Sequence, residues 1–407
     1  MAQVRDGKET YEVIRLGSWG GNSAVDAFGR QRMSEPFTLL DSTLRYNKQT
    51  ELWDEALTGS ATTNYLVNES SLELKTTTAS GDIAHRQTKR YLPYEPGKSQ
   101  RVECSFVMNR PIVGLKQQVG YFDSENGVFL QSNGTAVQIV RRSYVTGSTV
   151  DVAVNQADWN LDKLDGTGDS GLVLDVTKAN ILIMDLEWLG VGGVRIGFVI
   201  DNRIVYAHHF KNANNLSTVY MTTATLPVAY RIENTGAIAS PATLKQIACT
   251  VISEGGYNME GQKYPALTVP TLKACGTTET LCAAIRLKAG RTKNVVFPTA
   301  VSAVSDSNAP FEWKIRLNPT LTGGSWTDAA NGRGNVEVNT TATFSGGTII
   351  GSGYVSGGSG VDFPEGRGIL NALGVTIGGV SDVLAITVVG SKANAEALAN
   401  IHWSELY

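Results

Sequence analysis

Tight-turn dipeptides recur along the whole chain, and the short runs between them are rich in Val, Ile, Thr and Tyr. The pairs include Asn126-Gly127, Asn133-Gly134, Asp165-Gly166 and Asn331-Gly332. Such pairs supply the positive φ angles of two-residue hairpin turns, and β-branched residues favour strands. The spacing predicts an all-β chain of many short strands, which is typical of sandwiches and barrels. Residues 392–400, which are rich in alanine, are the one run predicted to be helical.

The chain is long enough for more than one core. It has 407 residues, of which 42% are hydrophobic and 18% charged, a balance typical of globular proteins. At roughly 150 residues per domain, two domains are expected. The strand pattern breaks near Gly255-Gly256, so we predict an N-terminal docking arm over residues 1–34, a β-sandwich over residues 35–256 and a second β domain over residues 257–407. Trp19 and Phe28 in the arm need a surface to bury them.

The charge pattern disfavours two classes of partner. The formal net charge is −3, and no run of basic residues exceeds a pair such as Arg141-Arg142. A phosphate-backbone or anionic-lipid surface requires a basic cluster, so we expect neither nucleic acid nor membrane as a partner. The first residues are polar, and no stretch of about 18 apolar residues exists. We therefore expect a soluble protein with no membrane insertion.

Residues 181–206 carry the most informative pattern of the first β domain. One apolar run ends at Glu187-Trp188, a Gly-rich turn follows, and the next run ends at Asp201-Asn202, which predicts a two-residue hairpin loop. This arrangement resembles the central hairpins of concanavalin-A-like and laminin-G-like β-sandwiches. The resemblance implies a concanavalin-A-like jelly roll, followed here by a second β-sandwich domain.

A wider resemblance, over residues 25–256, is to uncharacterised structural proteins of tailed-bacteriophage virions. It is carried by residues 25–42, residues 160–168, the motif Glu187-Trp188-Leu189-Gly190, residues 212–221 and residues 253–256. The resemblance implies a virion component assembled in the host cytoplasm, either a capsid decoration protein or head fibre or a tail-associated protein. Its partners would be other virion proteins and further copies of itself, for example in a trimer. The family offers no catalytic residues to transfer.

Asp185 and Glu187 are the sharpest candidates for catalysis. Two positions apart on a strand, they share one face, and glycosidases on sandwich folds use two carboxylates across the scissile bond. The alternative is an exposed face or an ion pair, for example with Arg195 on the next strand. The position where a third acid would be expected holds Leu189-Gly190. We favour this non-catalytic alternative, with both forms left open, and predict that the protein is not an enzyme.

The acidic loop, the histidines and the cysteines also have interpretations other than a metal site or a reactive thiol. Asp162, Asp165 and Asp169 could offer oxygen ligands to Ca²⁺, but ordinary Asp-Gly turns account for them equally well. The adjacent His208 and His209 point to opposite sides of a strand, so that strand cannot offer both to one metal. Cysteines stand at Cys104, Cys249, Cys275 and Cys282, which we interpret as buried free thiols; a disulfide between the last two is the alternative. We predict no catalytic, cofactor-binding or metal-binding residues and no cofactor.

Three functional hypotheses follow. The first is a structural virion protein that acts through protein–protein contacts. The second is a fibre or spike that binds a host surface glycan, with Trp53, Trp159 and Tyr354 as aromatic residues that could stack on sugars or fill subunit contacts. The third, which we rank lowest, is a polysaccharide depolymerase that uses Asp185 and Glu187.

Overall fold

Strands make up about half of the described part of the protein, and loops make up nearly all of the rest. The computed structural model describes residues 34–258, 261–269, 271–305, 309–356 and 372–406, and the backbone alone at residues 2–6, 9–13, 330–331 and 360–364. Within this part of the chain, two short 3₁₀ helices at Gln156–Asp158 and Ala329–Gly332 are the departures from strands and loops. The prediction of an all-β fold is confirmed. No helix in the described part is long and apolar enough to span a bilayer.

The first seventeen strands form an N-terminal hairpin and two large sheets. They are β1 Ala2–Asp6, β2 Glu9–Val13, β3 Phe37–Thr43, β4 Trp53–Thr58, β5 Thr62–Leu66, β6 Ser71–Thr76, β7 Ile83–Thr88, β8 Gln100–Val107, β9 Leu115–Phe122, β10 Gly127–Ser132, β11 Val137–Ser143, β12 Val150–Asn155, β13 Asn180–Leu186, β14 Val194–Ile200, β15 Arg203–Phe210, β16 Val228–Asn234 and β17 Ala242–Ser253.

The remaining strands form the second half of the molecule. They are β18 Gln262–Pro265, β19 Lys273–Ala274, β20 Thr280–Leu287, β21 Val295–Ser305, β22 Phe311–Leu317, β23 Thr320–Thr322, β24 Thr327–Asp328, β25 Val336–Asn339, β26 Thr343–Ser345, β27 Thr348–Val355, β28 Gly360–Pro364, β29 Val383–Gly390 and β30 Glu396–Leu406.

Two antiparallel sheets make the first sandwich. The seven-stranded sheet has the order β12-β11-β10-β9-β16-β7-β4, and the eight-stranded sheet has the order β15-β14-β13-β8-β17-β6-β5, with β3 also paired to β17. Neighbours in these orders are often distant in sequence, as in a jelly roll. Side chains from both sheets, such as Val119, Tyr230, Phe106 and Phe198, are fully buried between them. This single core fixes the strand register, because a slip by one residue would turn every apolar side chain outward.

A second sandwich follows with its own core. One sheet has the order β18-β30-β21-β28, with β19 paired to β30, and the other has the order β24-β25-β20-β29-β22-β27. Trp313, Ile386, Ile401 and Trp403 pack in the core between them. The confirmed fold is thus a jelly-roll sandwich followed by a second sandwich. In the predicted arm, β1 and β2 form a hairpin, while Trp19 and Phe28 lie outside the described residues.

The predicted helix at residues 392–400 is wrong. Most of this segment belongs to β30, which pairs with β21 on one side and with β18 and β19 on the other. Ala397 and Ala399 are fully buried, and the backbone N–H of Ala399 donates to Cys282 Sγ at 3.4 Å. Alanine favours helices only weakly, and burial between two partner strands outweighs that preference.

The predicted loop at Asp201-Asn202 joins β14 to β15. Both residues have positive φ, 49° and 59°, as a two-residue type I′ hairpin turn requires. The turn brings β14 and β15 into register, with Ile200 opposite Arg203. The short-range hairpin signal therefore located this connection correctly.

A buried arginine links the two sheets of the first sandwich. Arg86 on β7 is fully buried and stacks over the ring of Trp53 at 5.1 Å. Its guanidinium donates to Glu55 on β4, to the Lys48 carbonyl and, at 2.7 Å, to Gln246 Oε1 on β17 of the opposite sheet. Burial lowers the pKa of Arg86 to about 10, and the charge of Glu55 opposes that shift, so the group stays charged near neutral pH. The hydrogen bond from Arg86 to Gln246 forms only while the two sheets face each other.

Substituting Arg86→Met should destabilise the first sandwich by about 3 kcal/mol, because it leaves Gln246 Oε1 and the Lys48 carbonyl without their donor and removes one of the cations that pair with Glu55. Urea unfolding followed by tryptophan fluorescence measures the change. The matched control Arg110→Met, whose side chain is 76% exposed, should change stability by less than about 0.5 kcal/mol. Equal effects of the two substitutions would contradict the linking role of Arg86.

Candidate functional site

The two carboxylates of the predicted catalytic pair lie in different environments. Asp185, at the end of β13 in the eight-stranded sheet, is buried and accepts hydrogen bonds from Arg195 Nη2 at 2.8 Å and from the Tyr206 hydroxyl. Glu187 lies beyond the strand and accepts from the Gly193 N–H at 3.3 Å. The alternative of an ion pair with Arg195 describes Asp185 correctly. A carboxylate held by two donors is poorly suited to proton transfer.

The aspartates of the predicted calcium loop accept hydrogen bonds from backbone N–H groups in its turns. Asp162 accepts backbone N–H groups from Leu164 and Ser170, both at 2.8 Å, and Asp165 accepts the N–H of Thr167 at 2.9 Å. These bonds match the turn chemistry that the sequence allowed as an alternative. Among the described residues, no three His, Cys, Asp or Glu side chains cluster as a metal site would require.

The cysteines and histidines occupy packing positions. All four cysteines are buried and free, so Cys275 and Cys282 form no disulfide. Burial raises the pKa of Cys104 to about 12, which keeps it a thiol. His208 is buried against Phe210, with ring centroids 4.6 Å apart, while His209 is only partly buried.

Two of the aromatic candidates are in the core. Trp53 and Trp159 are 2% and 3% exposed, so neither can stack on a sugar in solvent. Trp159 packs on Phe198, and its indole N–H donates to the Val154 carbonyl at 3.2 Å. Tyr354, on β27, is 78% exposed and stays available for contacts. The sequence suggested Trp53 and Trp159 as residues that could stack on sugars, but it did not show that both side chains are buried.

A groove on the outer face of the seven-stranded sheet is the candidate functional site. Side chains alternate along each strand, so β7 directs Ala84 and Arg86 into the core and His85 and Gln87 to the opposite face. On β9 the same alternation directs Lys116, Gln118 and Phe122 to that opposite face. The groove has a volume of about 510 Å³, within the usual range of about 300–1,000 Å³ for ligand sites.

A polar row crosses the floor of this groove. The strand registers place His85 opposite Arg231, and Arg231 opposite Gln118. From Gln118 a chain of side-chain amides continues outside the groove lining, and each residue donates to the next, at 2.8, 2.9 and 2.9 Å: Gln118 to Gln131, Gln131 to Gln138, and Gln138 to Asn155. These bonds fix the orientation of the Gln118 amide, which is the member of the chain that lines the groove.

The second sandwich supplies the other wall. Lys293 and the loop at residues 375–379 line the groove opposite the sheet. The loop is anchored where the backbone N–H of Val375 donates to the Lys89 carbonyl and that of Ile377 donates to Asp54 Oδ2, both at 2.7 Å. Lys293 Nζ lies 2.8 Å from Asp123 Oδ2 and 2.5 Å from Glu125 Oε2. The groove therefore exists only when both sandwiches are in place.

The floor carries both cations and carboxylates, and most of the cations are paired. Arg142 makes a two-point ion pair with Asp151, at 2.8 and 2.9 Å, and lies over the Phe129 ring at 5.0 Å. His85 Nε2 is inaccessible to solvent and has no hydrogen-bond partner within the described part of the chain. Burial, followed by the nearby charges of Arg231 and Arg142, lowers the pKa of His85 to about 4. His85 is therefore neutral at physiological pH.

This groove was not predicted from the sequence. The available signal was the alternation of polar and buried positions in β7 and β9, which leaves His85, Gln87, Lys116 and Gln118 on one face. A strand that is half polar predicts only a solvated face. The pairing of distant strands β7, β16 and β9 was needed to assemble these residues.

The fold has many relatives among solved structures. A fungal endo-β-1,4-glucuronan lyase from Trichoderma reesei matches with 11% identity and a TM-score of 0.34, over 53% of this chain and 95% of that one. The Bacillus licheniformis β-glucanase matches with 12% identity and a TM-score of 0.32, over 54% and 99%. A carbohydrate esterase of the Shiga toxin-encoding bacteriophage phi24B matches with 9% identity and a TM-score of 0.31, over 54% and 99%. No protein-family model and no curated protein matches the sequence.

These neighbours correct one expectation. We predicted that the protein is not an enzyme, but the matching structures are mostly enzymes, and a further match comes from work on endo-acting O-glycanases of gut bacteria. Catalysis is therefore no longer excluded. The similarity is of concanavalin-A-like folds, and it assigns no reaction to this chain.

The pKa of His85 tests the electrostatics of the groove. Proton NMR of the imidazole should show a neutral His85 down to about pH 5. Because the charge of Arg231 helps to lower this pKa, Arg231→Gln should raise it, while the exposed control Arg110→Gln should leave it unchanged. A wild-type His85 that titrates near the ordinary value of about 6.5 would contradict this description.

Proposed function

We propose that this protein is a structural component of a tailed-bacteriophage virion, a capsid decoration protein, head fibre or tail-associated protein. It acts through contacts with other virion proteins and with copies of itself. The resemblance over residues 25–256 supports the proposal that the protein is part of a virion. One observation carries the mode of action: the second sandwich ends in a long, uncharged strand edge.

This edge is β27. The strand pairs with β22 on one side, and no other described strand pairs with its second side. Ile349 and Ile350 are 48% and 51% exposed although they point to opposite faces, and Tyr354 is more exposed still. No charged residue occurs from Thr340 to Val361. Proteins usually protect such edges with lysine, proline or a covering segment, so an uncharged apolar edge favours association.

A second edge has a similar character. Strand β12 ends the seven-stranded sheet, and its Val150 and Val152 are 45% and 40% exposed. A protein with unprotected edges on both sandwiches can contact two neighbours at once, and strand addition is a common mode of such contact. Both edges thus support an assembly role.

Placing charges on β27 should disrupt incorporation. The double variant Ile350→Lys with Tyr354→Lys should fold normally but reduce the copy number per particle at least about tenfold, because lysines oppose edge pairing. Quantitative mass spectrometry of purified particles, from a phage that carries the variant gene, measures the copy number. The control Val67→Lys, at a position 68% exposed in the first sandwich, should incorporate as wild type does. Normal copy numbers of the double variant would count against β27 as the assembly surface.

Glycan binding by the groove is a second candidate function. The observation in its favour is the set of amide and charged side chains that line the groove, among them Gln87, Gln118, Lys116 and Arg231, since sugars are recognised through directed hydrogen bonds. Such a site could hold a host surface glycan against the particle. The aromatic residues proposed from sequence do not contribute to it.

Blocking the groove tests this candidate. Ser124 is exposed at the rim, so Ser124→Trp should fill the entrance without entering a core. Wild-type protein should bind a subset of a glycan array, and Ser124→Trp should lose at least about tenfold in signal, a typical effect of removing buried polar contacts. Ser217→Trp, at an exposed position outside the groove lining, is the control. The candidate fails if the array shows no binding, or if both variants bind equally.

A further inference from the structure

The cations around the groove are not equivalent. Arg142 is paired with Asp151, and Arg231 donates Nε and Nη2 to Glu233 Oε2 at 3.3 and 3.0 Å. Lys293 is paired with two acids at the rim. Each of these groups is already neutralised by carboxylates of the protein.

Lys116 is the exception. It lies on the groove floor, where Glu233 is its cross-strand neighbour. Glu233 is held by Arg231, and no hydrogen bond or ion pair joins Lys116 to any described residue. Burial lowers the pKa of the ammonium, and the neighbouring arginine charges lower it further while Glu233 and Asp151 oppose them. A half-buried ammonium without a partner is costly, so an anion that enters the groove would relieve this cost.

Arg231 offers a second donor on the same face. Its cross-strand partner is Gln118, two residues from Lys116, so the Arg231 side chain lies diagonally next to that of Lys116. The bonds to Glu233 use Nε and Nη2, and within the described part of the chain Nη1 has no hydrogen-bond partner. Lys116 Nζ and Arg231 Nη1 are therefore the free charged donors of the floor.

We propose that the groove binds a sugar that carries a carboxylate, with the carboxylate held between Lys116 and Arg231. One unpaired ammonium matches one negative charge, whereas a phosphate monoester would bring nearly two. Hydroxyl and amide side chains elsewhere in the groove lining, at Gln118, Ser124 and Thr149, suit sugar hydroxyls better than an apolar acid. The ligand class is thus an acidic glycan. This inference rests on the glycan-binding candidate function and specifies its ligand.

Paired acidic and esterified sugars test the proposal. The probes are trigalacturonate, a hyaluronan tetrasaccharide and sialyllactose, each compared with its methyl ester by titration calorimetry on the full chain. At least one acid should bind about tenfold or more tightly than its ester, because esterification removes the charge that Lys116 and Arg231 recognise. The binding should weaken at high salt, since part of it is electrostatic.

Substitutions test whether Lys116 causes the preference for an acid over its ester. Lys116→Met should abolish the preference for the acid, Lys116→Arg should retain much of it, and Lys178→Met, at an exposed position outside the groove lining, should change nothing. Circular dichroism and thermal unfolding confirm that each variant folds. The proposal is overturned if no acid is preferred over its ester, or if Lys116→Met keeps the preference. If array glycans bind but acids are not preferred, glycan binding survives without a carboxylate site; if no sugar binds, both fail.

Discussion

The buried guanidinium of Arg86 is the interaction on which the first sandwich depends. It joins Glu55 in the seven-stranded sheet to Gln246 in the eight-stranded sheet, in a place that solvent does not reach. A charge buried in this way is tolerated only with complete partners, so it specifies one arrangement of the two sheets.

The same strand also builds the candidate site. Because side chains alternate, the register that directs Arg86 inward directs His85 and Gln87 outward onto the groove floor. Just beyond the end of β7, the Lys89 carbonyl accepts the N–H of Val375, and the Arg90 side chain donates to the Ala372 carbonyl at 2.9 Å. The core, the groove floor and the contact with the second sandwich are thus set by consecutive residues of one short segment.

Two kinds of surface then suggest two kinds of contact. On their outer sides β12 and β27 pair with no described strand and carry exposed valine, isoleucine and tyrosine side chains, which suits association with other proteins. The groove is polar, fixed by hydrogen bonds and charged on its floor, which suits a hydrophilic ligand. The two surfaces do not compete, since the groove uses the face of a sheet and the edges use its borders. A particle component could therefore assemble through its edges and keep its groove open.

The sequence by itself determined the fold class and several local features. Turn pairs and β-branched runs specified an all-β chain, and Asp201-Asn202 specified a hairpin, because these signals act over a few residues. It gave the wrong structure for residues 392–400, where burial between β21, β18 and β19 overrides the helix preference of alanine. It also placed Trp53 and Trp159 near the surface, although both are in the core. It also offered the ion pair between Asp185 and Arg195 as an alternative, because these residues lie on consecutive strands. Only the tertiary structure decided that Lys116, Arg231 and His85 would share a groove. These residues come from strands far apart in sequence, and pairing between distant strands depends on packing of the whole core rather than on any local pattern.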